Sequence, residues 1–159
     1  MKISKVLIGI DDSKYAEHAA EYGFDIARKF NASVGLVNIV EPVIIPGVSA
    51  GVDPIMGSTM QNNAEEEMEI LDIQKNQAQN IVENTIKKFA DGMQVTHFTD
   101  YGSTADGIIN CSKEFGADLI VIGTHSRTGL DRLLMGSVAE HVVRHSEVPV
   151  LVVPFKDEK

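Results

Sequence analysis

The sequence predicts an α/β fold: one domain on an open, parallel five-stranded sheet with helices on both faces. Three observations lead there. Short strand-like runs at Val6–Ile10, Val34–Val40, Met93–Thr99, Ala117–Ile122 and Val148–Val153 alternate with longer stretches of helical periodicity. Val6-Leu7-Ile8-Gly9-Ile10 is continuously apolar, as a strand covered on both faces must be. No internal repeat or linker divides the 159 residues, a length that suits a single domain with its own core.

The first strand ends in Asp11-Asp12-Ser13, whose side-chain oxygens can cap the helix that follows. Along that helix Ala16, Ala19, Ala20, Gly23, Ile26, Ala27 and Phe30 recur at helical spacing, a narrow face of small residues able to pack closely on a sheet. Asn31-Ala32 closes the helix, and Val34–Val40 follows as the second strand. From Glu41 to about Asn63, Pro42, Pro46, Pro54, Gly47, Gly51 and Gly57 break any regular element. So long a loop in a compact domain is either a ligand cover or a mobile excursion.

A long helix is expected from Ala64 to about Ala90. Its acidic first turns (Glu65, Glu66, Glu67, Glu69) complement the positive end of the helix dipole, and Lys87 and Lys88 the negative end. Ala64, Met68, Leu71, Ala78, Val82 and Phe89 form its apolar stripe. Gly92 ends it, and Met93–Thr99 makes a third strand with alternating side chains. Ser103 is the expected N-cap of the next helix, with Ile108, Ile109, Ser112 and Phe115 inward. The strand Ala117–Ile122 stops sharply at Gly123. After a polar loop, Gly136-Ser137 opens the last helix, where Ser137 and Glu140 have capping-box spacing.

The net charge of −9 argues against nucleic acid or an anionic membrane as main partner, since both select a broad basic surface. One cysteine, Cys111, leaves no intrachain disulfide and suits a reducing compartment; beside Ile108, Ile109 and Phe115 it reads as a small core residue. No segment approaches the ~20 apolar residues of a membrane span, and the N-terminus has no cleavable leader pattern, so a cytoplasmic protein is expected.

In parallel sheets ligands bind at the C-terminal ends of the strands. Asp11, the Glu41–Asn63 loop, Gly123 and Gly136 all fall at that end. A strand, a glycine-bearing loop and a fresh helix N-terminus form an anion site, because free N–H groups and the helix dipole both attract phosphate. The chain has only four arginines, and Arg127, Arg132 and Arg144 fall in or just after this loop.

Other chemistries fit worse. There is no Gly-Lys-Ser/Thr of a P-loop, and Ser126 lacks the flanking glycines of a nucleophile elbow. His125, Ser126 and Asp131 lie too close in sequence for relay geometry. His141 and His145 are four apart and could share a metal, but no Glu follows His141 and no third ligand is evident; His18 and His97 carry no motif. A phosphoacceptor receiver would cast Asp11-Asp12, Asp100, Thr124 and Lys156 as its site. A whole helix and the long loop separate Asp12 from Asp100, however, and Lys156 follows Pro154 instead of standing at a strand tip.

The residues at the phosphate end carry a family resemblance. ATP-binding universal stress proteins have Gly, two residues, Gly, nine residues, then Gly and Ser or Thr. Here that frame runs Gly123-Thr124-His125-Ser126, nine residues from Arg127 to Met135, then Gly136-Ser137. With Gly136–Arg144 and the closing Val148–Val153, the chain resembles that family over essentially its full length. Ser126 stands in place of the second glycine. If that glycine serves a left-handed backbone, serine costs roughly 1–2 kcal/mol there; if it serves close approach, a small hydroxyl fits and can bond phosphate.

The resemblance implies a Rossmann-like strand order of 3-2-1-4-5 and an adenine-nucleotide site at the ends of strands 1 and 4. Asp11 and the second strand's end near Ile39 would hold the adenosine; Gly123, His125 and Ser126 would line ribose and phosphates. Gly136, Ser137 and Val138 would receive phosphates through N–H groups and hydroxyl, and Gly9, Ser13, Ile122, Arg127 and Ala139 complete the expected site. The expected ligand is ATP, with AMP and ADP as alternatives and magnesium accompanying the phosphates. No resident metal site and no catalytic residue is expected, because no base is poised to activate water. The resemblance also implies a homodimer through the last strand, Val148–Val153, an apolar edge that Pro149 and Pro154 limit to one defined partner. The expected function is that of a cytoplasmic stress-response or signalling protein that binds ATP. The rivals are a slow ATPase or phosphotransfer enzyme and a nucleotide-free dimeric interaction module.

Overall fold

The structure, a computed structural model, describes residues 2–42, 60–125 and 135–155, with backbone alone for 60–67. The expectations for the loop at 43–59 and for Ser126, Arg127, Asp131 and Arg132 lie outside the described residues, as does that for Lys156. The elements run β1 (Lys5–Gly9), α1 (Lys14–Phe30), β2 (Ser33–Val40), α2 (Met60–Phe89), β3 (Val95–Tyr101), α3 (Thr104–Phe115), β4 (Leu119–Gly123), α4 (Ser137–His145) and β5 (Val150–Val153). The five strands form one sheet in the order β3-β2-β1-β4-β5, and every pairing is parallel.

Alternation along the strands builds two cores. Val6 and Ile8 of β1 join Val34, Leu36 and Val121 under α1 and α2, with Phe24 and Val82 from those helices. Leu7 points the other way and joins Val37, Ile120 and Ile122 under α3 and α4, with Ile108, Phe115 and Val142. Each such side chain contributes about 1.5–3 kcal/mol by leaving water. The small face of α1 packs closely from Ala16 to Ala27, where a Cβ on Gly23 would stand 2.5 Å from Ile8 Cδ1, but Phe30 at its end is 54% exposed. Cys111 is in the second core. Burial, reinforced by the Asp100 and Glu114 carboxylates, pushes its thiol up and leaves it unreactive.

Local signals set the helix ends. Ser13 caps α1, its Oγ accepting from Ala16 N at 3.2 Å, and Asn31 closes it in the left-handed region (φ 52°). Ser103 stands at the α3 N-cap but makes no side-chain capping bond.

Expectations for four elements are corrected. α2 begins at Met60, a full turn before Ala64, so the acidic run falls beyond the first turn, outside the reach of the dipole's end. Its stripe is buried only toward the C-terminus: Ala78 and Val82 are core, while Met68 and Leu71 are 67% and 44% exposed. The reason is length. Thirty helical residues span about 45 Å, whereas the eight-residue β2 spans about 27 Å. The N-terminal half of α2 therefore overruns the C-terminal edge of the sheet.

β3 starts at Val95 because Asp91 and Gly92 (φ 45° and 81°) make a turn that ties Met93 N to Ala90 O at 2.9 Å. It does not alternate between buried and exposed. As an edge strand it has only Val95 and Phe98 partly covered, one on each face. β5 is shortened to Val150–Val153, since Pro149 has no N–H and enters the ladder only through its carbonyl, which accepts from Ile120 N at 3.0 Å. Finally, Ser137 is the first residue of α4 and Gly136 its N-cap, so there is no Ser137–Glu140 capping box. Glu140 pairs with Arg144 instead, one turn on.

Candidate functional site

The chain enters the sheet at its centre, so strand order reverses between β1 and β4, where two crossovers leave in opposite directions. A cleft of about 320 Å³ opens there, at the C-terminal ends of the strands. β1 supplies Gly9 and the following Ile10, Asp11 and Asp12; β2 supplies Val37 to Val40 and then Glu41. From β4 come Ile122, Gly123, Thr124 and His125, and from the start of α4 Gly136, Ser137, Val138 and Ala139.

The α4 end of the cleft is a donor cradle. A helix leaves its first four N–H groups without intrahelical partners. Gly136 N donates to Thr124 O at 2.7 Å, which pins the cap to the end of β4. The N–H groups of Ser137, Val138 and Ala139 meet no acceptor outside the helix among the described residues, and Gly136 has no side chain to serve them. Beside them His125 Nδ1 lies 3.1 Å from Thr124 Oγ1, while His125 Nε2 is buried with no hydrogen-bond partner among the described residues. An orphaned buried nitrogen is costly unless a ligand answers it. The Tyr15 ring supports the imidazole at a centroid distance of 5.1 Å and carries Phe155 on its own edge.

Close approach is built in twice. A Cβ on Gly136 would meet Thr124 O at 3.0 Å and His125 Cα at 3.4 Å. A Cβ on Gly123 would stand 2.8 Å from Tyr15 O and 2.9 Å from Tyr15 C, because the first turn of α1 passes directly over it.

The opposite end is acidic and apolar. Asp11 Oδ1 accepts from Ser13 N at 2.8 Å, which turns its carboxylate at the mouth of β1. Asn38, only 4% exposed, donates through Nδ2 to Ile10 O at 2.8 Å and ties the ends of β1 and β2 together. Thr104 Oγ1 donates to Glu41 Oε1 at 2.6 Å, linking α3 to the end of β2. Gln74, Gln77, Ala78 and Ile81 of α2 form the outer wall, where that helix overruns the sheet. No lysine or arginine is among the described lining residues.

The cleft thus brings together Gly9, Asp11, Ile39, Ile122, Gly123, His125, Gly136, Ser137, Val138 and Ala139. Ser13 is not part of the lining, its hydroxyl being spent on Ala16 N. Arg144 sits in the last turn of α4, away from the cradle, and pairs with Glu140. Asn38, Gln74, Gln77 and Thr104 were not expected in the site, and Glu41 only as the start of the loop at that end. Only Asn38 carried a signal, a polar residue inside an apolar strand. Among the described residues no three His, Cys, Asp or Glu side chains are grouped to hold a metal, and no helix is long and apolar enough to cross a membrane.

The residues fit an adenine nucleotide: the cradle offers N–H donors for phosphate, and the carboxylate-bearing apolar end offers acceptors for an amino group or ribose hydroxyls. Comparison with known proteins places the chain in a family and a fold. The family described as universal stress protein family matches residues 2–154. The chain is 34% identical over 151 residues to universal stress protein MJ0531 of Methanocaldococcus jannaschii, covering 94% of this chain and 81% of that one. Its fold superposes on the structure of MJ0577, from the same organism, with a TM-score of 0.78 and 26% identity, covering 99% of this chain and 100% of the other. A universal stress protein in complex with cAMP shares the fold at a TM-score of 0.61 and 21% identity, covering 96% of this chain and 98% of the other.

Proposed function

This chain belongs to the universal stress protein family, and from that premise we propose that it is a stress-response or signalling protein that binds ATP in the cleft between β1 and β4. The observation that carries the reading is the α4 cradle: three N–H groups that meet no acceptor outside the helix among the described residues, next to the orphaned Nε2 of His125. The triphosphate lies against Gly136, Ser137, Val138 and Ala139, and the adenosine against Asp11 and Ile39. Ser126 and Arg127, which the family resemblance adds to the phosphate end, lie outside the described residues. The described lining is acidic, so magnesium accompanies the phosphates and offsets the charge of Asp11, Asp12 and Glu41. The reading is that of a nucleotide binder and not of an efficient hydrolase. The protein works in the cytoplasm.

Mass spectrometry of the supernatant after denaturing freshly purified protein is expected to find an adenine nucleotide, and titration of stripped protein is expected to give saturable ATP binding. Stripped protein that takes up no ATP, ADP or AMP would overturn the reading in favour of a nucleotide-free interaction module. Turnover comparable to that of dedicated ATPases would replace the binder with an enzyme.

Asp11→Ala is expected to lower nucleotide affinity about tenfold, or about 1.4 kcal/mol. Ser13→Ala is the control, since it removes the Ala16 cap, at a cost of about 1 kcal/mol in stability, while leaving the Asp11 carboxylate in place. Equal affinities in wild type and Asp11→Ala would remove Asp11 from the site.

The assembly we propose is a homodimer through β5. That strand is a sheet edge, and its Val150, Leu151 and Val152 are only half buried. Two copies paired antiparallel about a two-fold axis would satisfy the free N–H and C=O groups of both edges. Val152→Lys is expected to shift the protein to monomer. Light scattering that finds wild type monomeric at high micromolar concentration would refute the dimer.

A further inference from the structure

Two histidines stand one turn apart on α4, outside the cleft, and each is held by one ring nitrogen. His141 Nε2 lies 3.2 Å from Asp106 Oδ1, on α3. His145 Nδ1 lies 2.9 Å from the carbonyl oxygen of His141. A carboxylate and a backbone carbonyl only accept, so in both bonds the ring nitrogen is the donor. The tautomers follow: each neutral ring keeps its lone pair on the other nitrogen, Nδ1 of His141 and Nε2 of His145. Neither of these bonds any described residue. The ring centroids are 4.2 Å apart, with the planes at 30°.

This is how metal-binding imidazoles are prepared. One nitrogen donates to a carboxylate or a main-chain carbonyl, which fixes the tautomer and aims the ring. Electrostatics favour a cation as well. Arg144 lies beside His145 but is engaged by Glu140 at 3.0 and 2.9 Å, and among the described residues Asp106 is the charged side chain in contact with His141. The His141 and Asp106 side chains are 43% and 61% exposed, so a hydrated ion reaches them without opening the core.

We propose that His141 and His145 form a two-nitrogen chelate for a divalent cation of the zinc class, Zn²⁺, Ni²⁺ or Cu²⁺. Water completes the coordination, and Asp106 acts behind His141 as a positioning carboxylate. Imidazole nitrogen suits these ions, while calcium and magnesium select oxygen ligands. With two protein ligands the site is open and exchangeable, unlike a closed structural zinc site. Asp106 lies in the first turn of α3 and His141 at the middle of α4, so the carboxylate behind the chelate links the two helices.

The test is calorimetric titration of Zn²⁺ into the full chain, free of any polyhistidine tag, treated with chelator and stripped of nucleotide. One saturable site per chain is expected, with tighter binding for Cu²⁺ than for Ni²⁺ and no heat from Mg²⁺ or Ca²⁺. His141→Ala and His145→Ala are each expected to abolish saturable binding with an unchanged circular dichroism spectrum. Asp106→Asn is expected to weaken it about 10–100-fold while keeping the stoichiometry, which a merely structural Asp106 would not do. Absence of saturable Zn²⁺ binding would overturn the proposal. So would unchanged binding in the His141→Ala/His145→Ala double variant, which would mark an adventitious ion elsewhere. None of these outcomes depends on whether the cleft binds ATP.

Discussion

Gly136→Leu is expected to weaken ATP binding at least about 100-fold, equivalent to about 2.7 kcal/mol, without unfolding the protein. The backbone does not require glycine there: at φ −73° and ψ 161° Gly136 is in extended geometry open to any residue. Space requires it. A Cβ meets Thr124 O at 3.0 Å and His125 Cα at 3.4 Å, and the rest of a leucine side chain has to project into the cradle in front of the Ser137, Val138 and Ala139 N–H groups. Phosphate is then held at arm's length from donors that act only over a hydrogen-bond distance. Gly136→Ala, which adds the Cβ alone, is expected to lose less. Calorimetric titration checks the affinity and thermal melting the fold. A folded Gly136→Leu protein with wild-type affinity would take the phosphates out of the α4 cradle.

Gly123→Ala is expected to act on stability. Its Cβ would stand 2.8 Å from Tyr15 O and 2.9 Å from Tyr15 C, and these are main-chain atoms that cannot rotate away. Either the first turn of α1 lifts off the end of β4 or the strand end shifts. Overpacking of this kind costs about 1–3 kcal/mol, and a backbone obstacle places Gly123 at the upper end. For a chain of this length that lowers the melting temperature by roughly 6–12 °C. Tyr15 also supports His125, so a displaced α1 disturbs the cleft, and ATP affinity is expected to fall together with stability. A melting temperature within a degree of wild type would show that this contact is slack. The two glycines of one motif thus have different tasks: Gly136 leaves room for a ligand, and Gly123 leaves room for the chain itself.

The element order, the parallel sheet and the end of it that carries the cleft were legible in the sequence because each rests on short-range patterns. Continuous apolar runs marked β1 and β4, the small-residue face of α1 announced its close approach to Ile8, and Ser13 and Asn31 marked that helix's ends. The same local logic failed where two patterns competed. Ser137 and Glu140 had the spacing of a capping box, but the bond from Gly136 N to Thr124 O sets the cap one residue earlier. The acidic residues of α2 resembled a helix start, but nothing in Gln61-Asn62-Asn63 stops the helix from beginning a turn sooner.

What the sequence determined by itself is everything that repeats with the period of a helix or strand, together with a glycine-spaced motif that names the family. Tertiary structure alone decided that Gln74 and Gln77 wall the cleft, since that follows from a helix of about 45 Å packed on strands of about 27 Å. It alone set Tyr15 over Gly123, Thr104 against Glu41, and Asp106 against His141. Each of these pairs joins residues on different elements. Their meeting depends on strand order, crossover direction and packing distance, quantities that belong to the assembled sheet and leave no mark on the neighbours of either residue along the chain.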